Sequence, residues 1–269
     1  MRPISIPANI QKHNQSKEVL QSGIAAIRAQ LQKLYSPNPE VSIVIPAYNE
    51  AENILKTLSS LAASTTRKSV EIIVVNNNSK DETEALSTSA GATCITETIQ
   101  GITPARNAGL RRATGQYVLN ADADTIYPPD WVDRMLEPLH HDGTGMVYGT
   151  FSFLPTTGIP RPVFLAYEYV SDVSKWINKR FREEAVNIYG FNSAFRRTEG
   201  LAVDCFNHPP GTNEDGWLGV KLREKFRKKF YQVTHPTAIV WTTDRRIQLD
   251  GGLLVGIMKR VRRHANMLG

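Results

Sequence analysis

The chain has 269 residues, 41% of them hydrophobic, and a formal net charge of +6 from 32 basic and 26 acidic side chains. That size and apolar fraction allow a full buried core, one large α/β domain with an attached subdomain, and exclude disorder through most of the length. Two scattered cysteines, Cys94 and Cys205, exclude a disulfide framework or a cysteine zinc site and make a reducing compartment the default. The start lacks the apolar core of a signal peptide, and no uninterrupted apolar run is long enough to cross a bilayer.

Residues 1–15 are polar and aperiodic, which predicts an unstructured start. Ser16 is a candidate N-cap for a helix on which Leu20, Ile24, Ile27, Leu31 and Leu34 recur at alternating intervals of four and three. Such a face packs on its own domain or, less commonly, on a second subunit, which leaves a homodimer open. The β-branched run 41–45, closed by Pro46, reads as a first buried strand, and Ala47-Tyr48-Asn49-Glu50 leads into a helix carrying Ile54, Leu55, Leu58 and Leu61. A second apolar run, 72–75, empties into Asn76-Asn77-Asn78-Ser79, where Ser79 and Glu82 form a capping box. Strand, helix, strand, helix demands a parallel sheet with right-handed crossovers. A short third strand is expected at 92–96. Thr103 then caps a helix with Pro104 in its first turn, which brings Arg106 near a helix N-terminus. There it meets an anion or, equally, pairs with a carboxylate at the surface.

Tyr117, Val118 and Leu119 suit a short buried strand, so Asp122 and Asp124 fall at its carboxyl end, where open α/β sheets bind ligands. Carboxylates in alternation share a hard divalent cation, although an isolated Asp-x-Asp is more often a polar turn. A helix over 131–139 follows, with His140 and His141 as a C-terminal pair, then one strand over 146–153 and a loop over 155–162. The helix over 163–181 carries Tyr167, Tyr169 and Trp176, rings expected in the core. Residues 187–197, including Asn192, are glycine-hinged and rich in donors, a candidate ligand lip. Glu214, Asp215 and Trp217 open a later helix. The basic end holds a charged helix (221–229), a strand (238–241), and a loop with Arg245 and Arg246 able to close over phosphates. Leu253, Leu254, Ile257, Met258 and Val261 beside Lys259, Arg260, Arg262 and Arg263 suit either an interfacial helix on anionic lipid or an ordinary packing helix.

Taken in order, VSIVIPAYNE from Val41, VVNNNSKDET from Val74, GITPARNAGLRRATG from Gly101, NADADT from Asn120 and Asn213-Glu214-Asp215 resemble the family 2 glycosyltransferases, inverting enzymes of the GT-A fold. The resemblance implies an α/β, Rossmann-like mixed but mostly parallel sheet flanked by helices, with helical additions at both ends. It divides the chain into a tail and helix (1–40), a transferase domain (41–247, with a nucleotide half to 127 and an acceptor half from 128), and a basic helix (248–269). It implies that Pro46, Ala47, Tyr48 and Glu50 line the base and ribose pocket, with Asn77 at the base edge. Arg106 would meet the nucleotide, Asp122 the ribose or the metal shell, and Asp124 a Mn²⁺ or Mg²⁺ ion. Asp215 would be the general base, and Asn192, Glu214, Trp217, Arg245 and Arg246 would serve the acceptor or the phosphates. The family's late His is missing: Thr242 and Thr243 follow Trp241.

The implied activity is metal-dependent inverting transfer of a sugar from a nucleoside-diphosphate sugar, UDP favoured and GDP open, to the hydroxyl of a glycan, lipid-linked or small-molecule acceptor. Polysaccharide, glycolipid or cell-envelope glycan synthesis is the expected setting, in the cytoplasm or peripherally at the inner membrane face, without nucleic acid. The rivals are a noncatalytic sugar-nucleotide or nucleic-acid binding module and a sugar-1-phosphate nucleotidyltransferase. The latter wants a glycine-rich basic loop that Pro46–Glu50 does not supply.

Overall fold

The computed structural model describes residues 2–156 and 158–245. Arg246 and the basic amphipathic stretch 253–263 lie outside them. Helices α1 (Ala8–Gln11), α2 (Lys17–Ser22) and α3 (Ile24–Leu34) precede β1 (Val41–Ala47), α4 (Ile54–Ala62), β2 (Val70–Asn76), α5 (Thr83–Ser89), β3 (Thr93–Thr96), α6 (Ile102–Arg112) and β4 (Tyr117–Asn120). The chain continues through β5 (Thr125–Ile126), α7 (Trp131–Leu136), β6 (Thr144–Gly149), β7 (Phe151–Leu154), α8 (Arg161–Phe181), β8 (Ser193–Arg196), α9 (Arg197–Ala202), α10 (Glu214–Phe226), β9 (Lys229–Val233) and β10 (Val240–Thr243).

Seven strands form the main sheet in the order β3-β2-β1-β4-β8-β6-β9. Only β8 runs against its neighbours, β4 and β6. The central strands are continuous apolar runs because both faces are covered. Ile43 and Ile45 point into a core shared with Leu55 and Leu58 of α4, whereas Val44 and Ile73 meet Leu110 of α6 and Leu218 of α10. After β1 the chain moves outward to β2 and β3, then returns to lay β4 on the other side of β1. That reversal opens a crevice beyond the carboxyl ends of β1 and β4. A small sheet, β5-β10-β7, stands at the same end, with Thr242 opposite Thr125 and Trp241 opposite Ser152.

Several expectations need correction. The first fifteen residues are packed: Arg2 forks onto Asp172 at 2.6 and 2.7 Å, Ile10 is buried against Trp241, and His13 Nδ1 lies 2.6 Å from Ser59 Oγ. These residues hold by ion pairing and single anchors, which leave no periodic signal. Burial pushes the His13 imidazole down to about 4. The helix expected from Ser16 breaks at Gly23, a weak helix former, yet Ser16 does cap α2 and both halves pack on α4 of their own domain. Ser79 caps nothing; its hydroxyl accepts the Asn49 N–H, and α5 begins at Thr83, whose N–H is taken by Asp81. Thr103 lies inside α6 rather than before it, its hydroxyl 3.1 Å from His208 Nε2.

The strand expected over 146–153 is two strands in two sheets. The switch falls at Gly149 and Thr150, where Asn192 is wedged: it donates to Thr150 O, and a Cβ on Gly149 would collide with its amide. On α8, Tyr167 is buried as expected, but Tyr169 and Trp176 face outward. No described helix is long and apolar enough to cross a membrane.

The buried face of α8 is fixed by Glu168, which accepts from Phe153 N at 2.7 Å, from Arg161 at 2.7 and 2.9 Å and from Arg2 at 3.2 Å. Removing one partner of a buried ion pair strands the other charge. Glu168→Ala should therefore cost about 3–5 kcal/mol, read from the denaturant midpoint. Val173→Ala on the outer face should change it by less than about 0.5 kcal/mol.

Candidate active site

The crevice collects the polar ends of β1, β4, α6, α10 and β10. After β1, Ala47 is buried and Tyr48 half-exposed, its ring free to stack on a base. Asn49 turns the chain with a left-handed backbone (φ 54), and its amide oxygen accepts Lys80 N at 2.8 Å. This brace on the β2–α5 loop sends Glu50 inward, where it is buried. Pro46 stays inside β1, opposite Val75.

Asn77 differs from its expected part as a free base-edge reader. Its nitrogen donates to Glu97 O and Ile99 O at 2.9 and 2.8 Å, and its oxygen accepts Gly101 N at 2.7 Å and Gln100 Nε2 at 3.3 Å. A carboxamide has two N–H donors and two lone pairs, so nothing is left over. Asn77 latches the 97–101 loop that leads into α6. Asn192 is likewise committed, accepting Trp131 Nε1 and donating to Thr150 O, both at 2.8 Å, and is a buried wedge rather than a ligand lip.

Arg106, on α6, is fully buried, neither at the surface nor at the helix's first turn. Its Nη2 donates to Asp122 Oδ1 at 2.8 Å, and its Nε lies 3.4 Å from Asp215 Oδ1. The Phe206 ring lies 6.0 Å away. Arg106 Nε and Nη1, and Asp215 Oδ1, are buried without a hydrogen-bond partner among the described residues. Unmet donors on a buried cation are costly, and an anion in the crevice would meet them. Asp215 sits in the first turn of α10, capped by Asn213, whose oxygen accepts Gly216 N at 2.6 Å. Burial pushes its carboxyl up to about 7 against the pull of Arg106, with Glu214 and Asp122 adding repulsion. Glu214 and Trp217, three apart on α10, are both half-buried. Gly190 makes this closeness possible, since a Cβ there would collide with the Arg106 guanidinium and the Asp215 carboxylate.

Asp124 is flanked differently. Thr243 Oγ1 donates to its Oδ2 at 2.8 Å, and Arg245 reaches from Glu50 to within 3.5 Å of the same oxygen. Burial, then repulsion from Asp122 and Glu50, raises the Asp124 carboxyl to about 6. Asp122 is steadied by Tyr127, whose hydroxyl accepts the Asp122 N–H and donates to Phe191 O. Mutually repelling carboxylates suit a hard divalent cation, although no group of three or more such side chains converges among the described residues. Two protein carboxylates plus water and phosphate oxygens is a donor set that Mg²⁺ accepts. Sequence reasoning missed Thr243, Tyr127, Gly190 and the Glu50–Arg245 pair. Thr243 alone left a trace, a hydroxyl where the resemblance implies a His.

The chain is 30% identical over 159 residues to glycosyltransferase AglE of Haloferax volcanii, covering 56% of this chain and 52% of that one. It is 34% identical over 110 residues to dolichol-phosphate mannosyltransferase of Saccharomyces cerevisiae, covering 38% and 41%. It thus spans about half the length of the first relative and less of the second. Among solved structures, mannosyltransferase PcManGT of Pyrobaculum calidifontis, in complex with GDP-Man and Mn²⁺, superposes with a TM-score of 0.57 at 20% identity, covering 91% of this chain and 75% of that one. Glucosyl-3-phosphoglycerate synthase of Mycobacterium tuberculosis, with Mn²⁺, UDP-glucose and phosphoglyceric acid, gives 0.54 at 20% identity, covering 81% and 75%. These likenesses establish the GT-A fold. Residues 42–198 match the family described as Glycosyl transferase family 2, and the chain belongs to that family.

Proposed function

We propose that the protein is a metal-dependent inverting glycosyltransferase that moves a sugar from a nucleoside-diphosphate sugar to an acceptor hydroxyl. The observation that carries the reading is Arg106, which touches the first carboxylate of the Asp-x-Asp pair and the candidate base together. Tyr48 stacks on the base, and the diphosphate lies toward Asp122 and Asp124 with Arg106 and Arg245 at hand. The acceptor oxygen attacks the anomeric carbon from the face opposite the diphosphate, Asp215 takes the hydroxyl proton, and the bond from that carbon to the phosphate oxygen breaks. Negative charge on the departing diphosphate is met by the guanidinium groups. A divalent cation held by Asp124 and Asp122 supplies further countercharge when bound.

Structural neighbours solved with UDP-glucose and with GDP-mannose support either donor base, UDP remaining favoured. The dolichol-phosphate relatives support a lipid-linked acceptor within polysaccharide, glycolipid or envelope glycan synthesis. No observation favours the nucleotidyltransferase or the noncatalytic module: the turn after β1 has no glycine-rich loop, and all three expected carboxylates line the crevice.

Calorimetry against UDP and GDP, with and without Mn²⁺, should show binding of one nucleotide that weakens at least about tenfold when the metal is chelated or in Asp124→Ala. No binding of either nucleotide would sink the reading. Asp215→Asn should keep nucleotide affinity while kcat falls by about 10²–10⁴; wild-type transfer would remove Asp215 as the base. Because the base acts ionised and its carboxyl is raised to about 7, kcat/KM should fall as pH drops below that value. Glu214→Gln removes a neighbour that raises it, so the acid limb should move to lower pH; an unmoved limb belongs to another group.

A further inference from the structure

The buried side of α8 carries Phe164, Tyr167, Glu168, Ser171 and Lys175. Its other side is bare. Val163, Tyr169 and Val170 are exposed, Val173 is 59% exposed, Trp176 60% and Phe181 68%. Val163, Ala166, also exposed, Val170, Val173 and Trp176 recur every three or four residues and, with Tyr169 and Phe181 on the same side, form one strip along a helix of 21 residues, roughly 31 Å long. No exposed position of α8 is acidic. Glu168 is buried between Arg2 and Arg161, Asp172, whose side chain is 35% exposed, is paired with Arg2, and the exposed charges at the carboxyl end are Arg180 and Lys179, the latter 3.3 Å from Glu184. A continuous apolar surface of this extent marks an interaction site.

We propose that this strip of α8 seats the protein on an anionic lipid surface. A second copy of the chain fits the strip less well. Two helices pairing along it would want free flanking charges of both signs to set their register, and the acids beside the strip, Asp172 and Glu184, are already engaged by Arg2 and Lys179. A single helix face about 31 Å long also falls short of the roughly 800 Å² that each partner of a stable complex buries. A bilayer asks for less: an apolar face sunk to the headgroup boundary, aromatic rings at that depth, and cations above it. Tyr169, Trp176 and Phe181 supply the rings, and Arg180 the cation, joined by Lys179 where a lipid phosphate replaces its partner Glu184. Beyond α8 the chain passes through the turn Glu184–Asn187 to Gly190, which packs on Arg106 and Asp215. Lipid contact is thereby linked through one short segment to the candidate base, although the seating does not depend on the transfer chemistry.

The test is sedimentation of the full chain with vesicles of phosphatidylcholine, with and without phosphatidylglycerol, at low and high salt. The chain should sediment with the anionic vesicles only, and less at high salt. Val173→Glu combined with Trp176→Glu should lower the bound fraction roughly tenfold at equal lipid, with melting temperature and nucleotide affinity unchanged because both side chains point outward. Lys179→Ala with Arg180→Ala should weaken anionic binding and its salt dependence together. Equal sedimentation of wild type and the Glu variants overturns the proposal and moves the contact elsewhere, for instance to the basic residues 259–263. So does a wild type that ignores vesicles but forms a dimer, seen by light scattering, that the Glu variants dissolve.

Discussion

A buried guanidinium must be met by negative charge, and the crevice is arranged around meeting the one on Arg106. The Asp122 turn after β4 and the first turn of α10 arrive from distant parts of the sequence and converge on it. The surroundings follow from that demand. A glycine at 190 lets the backbone pass close to both groups, and Asn107 of α6 accepts Phe206 N and donates to Asn207, which ties down the segment ahead of α10. Arg106 is structural and electrostatic at once: the contacts that compensate its burial still leave its Nε and Nη1 without a hydrogen-bond partner among the described residues.

The charge balance is uneven. Glu50, Asp122, Asp124, Glu214 and Asp215 face two described guanidinium groups, Arg106 and Arg245. Repulsion and burial lift Asp124 and Asp215 toward neutrality, the state in which carboxylates neither bind metal nor take a proton well. A cation arriving beside Asp124 relieves that strain, and Arg245, bridged to Glu50, partly fills the part beforehand. The proposed base, Asp215, meets Arg106 at Nε, apart from the Nη2 contact to Asp122.

Much of the sheet was legible because parallel strands covered on both faces are written as apolar runs: β1, β2 and β4 are plain in 41–45, 72–75 and 117–119, and their parallel pairing follows from the alternation with helices. Elements held by single polar anchors were not. Arg2 and His13 leave no periodicity, and the break between β6 and β7 depends on Asn192, more than forty residues further on. The aromatic residues of α8 misled in the opposite direction, because ring content does not say which side of a helix faces the core. In the site, residue type was readable and engagement was not. Asn77 and Asn192 have the right donors, but only coordinates reveal that those donors are already spent. Tyr127 and Thr243 look ordinary in sequence and gain meaning from where Asp122 and Asp124 fall.

The bond from Thr243 to Asp124 joins residues 119 apart, and Arg245 joins Glu50 across 195. The small sheet repeats the pattern, since β5 finds its partner in β10, one of the last described strands. For a chain made from its amino end, this orders events in time. The strands that bear the Asp pair leave the ribosome long before the residues that brace it. Until β10 emerges, the crevice end of the sheet exists with its carboxylates unbraced, and the finished crevice waits on Thr243 and Arg245.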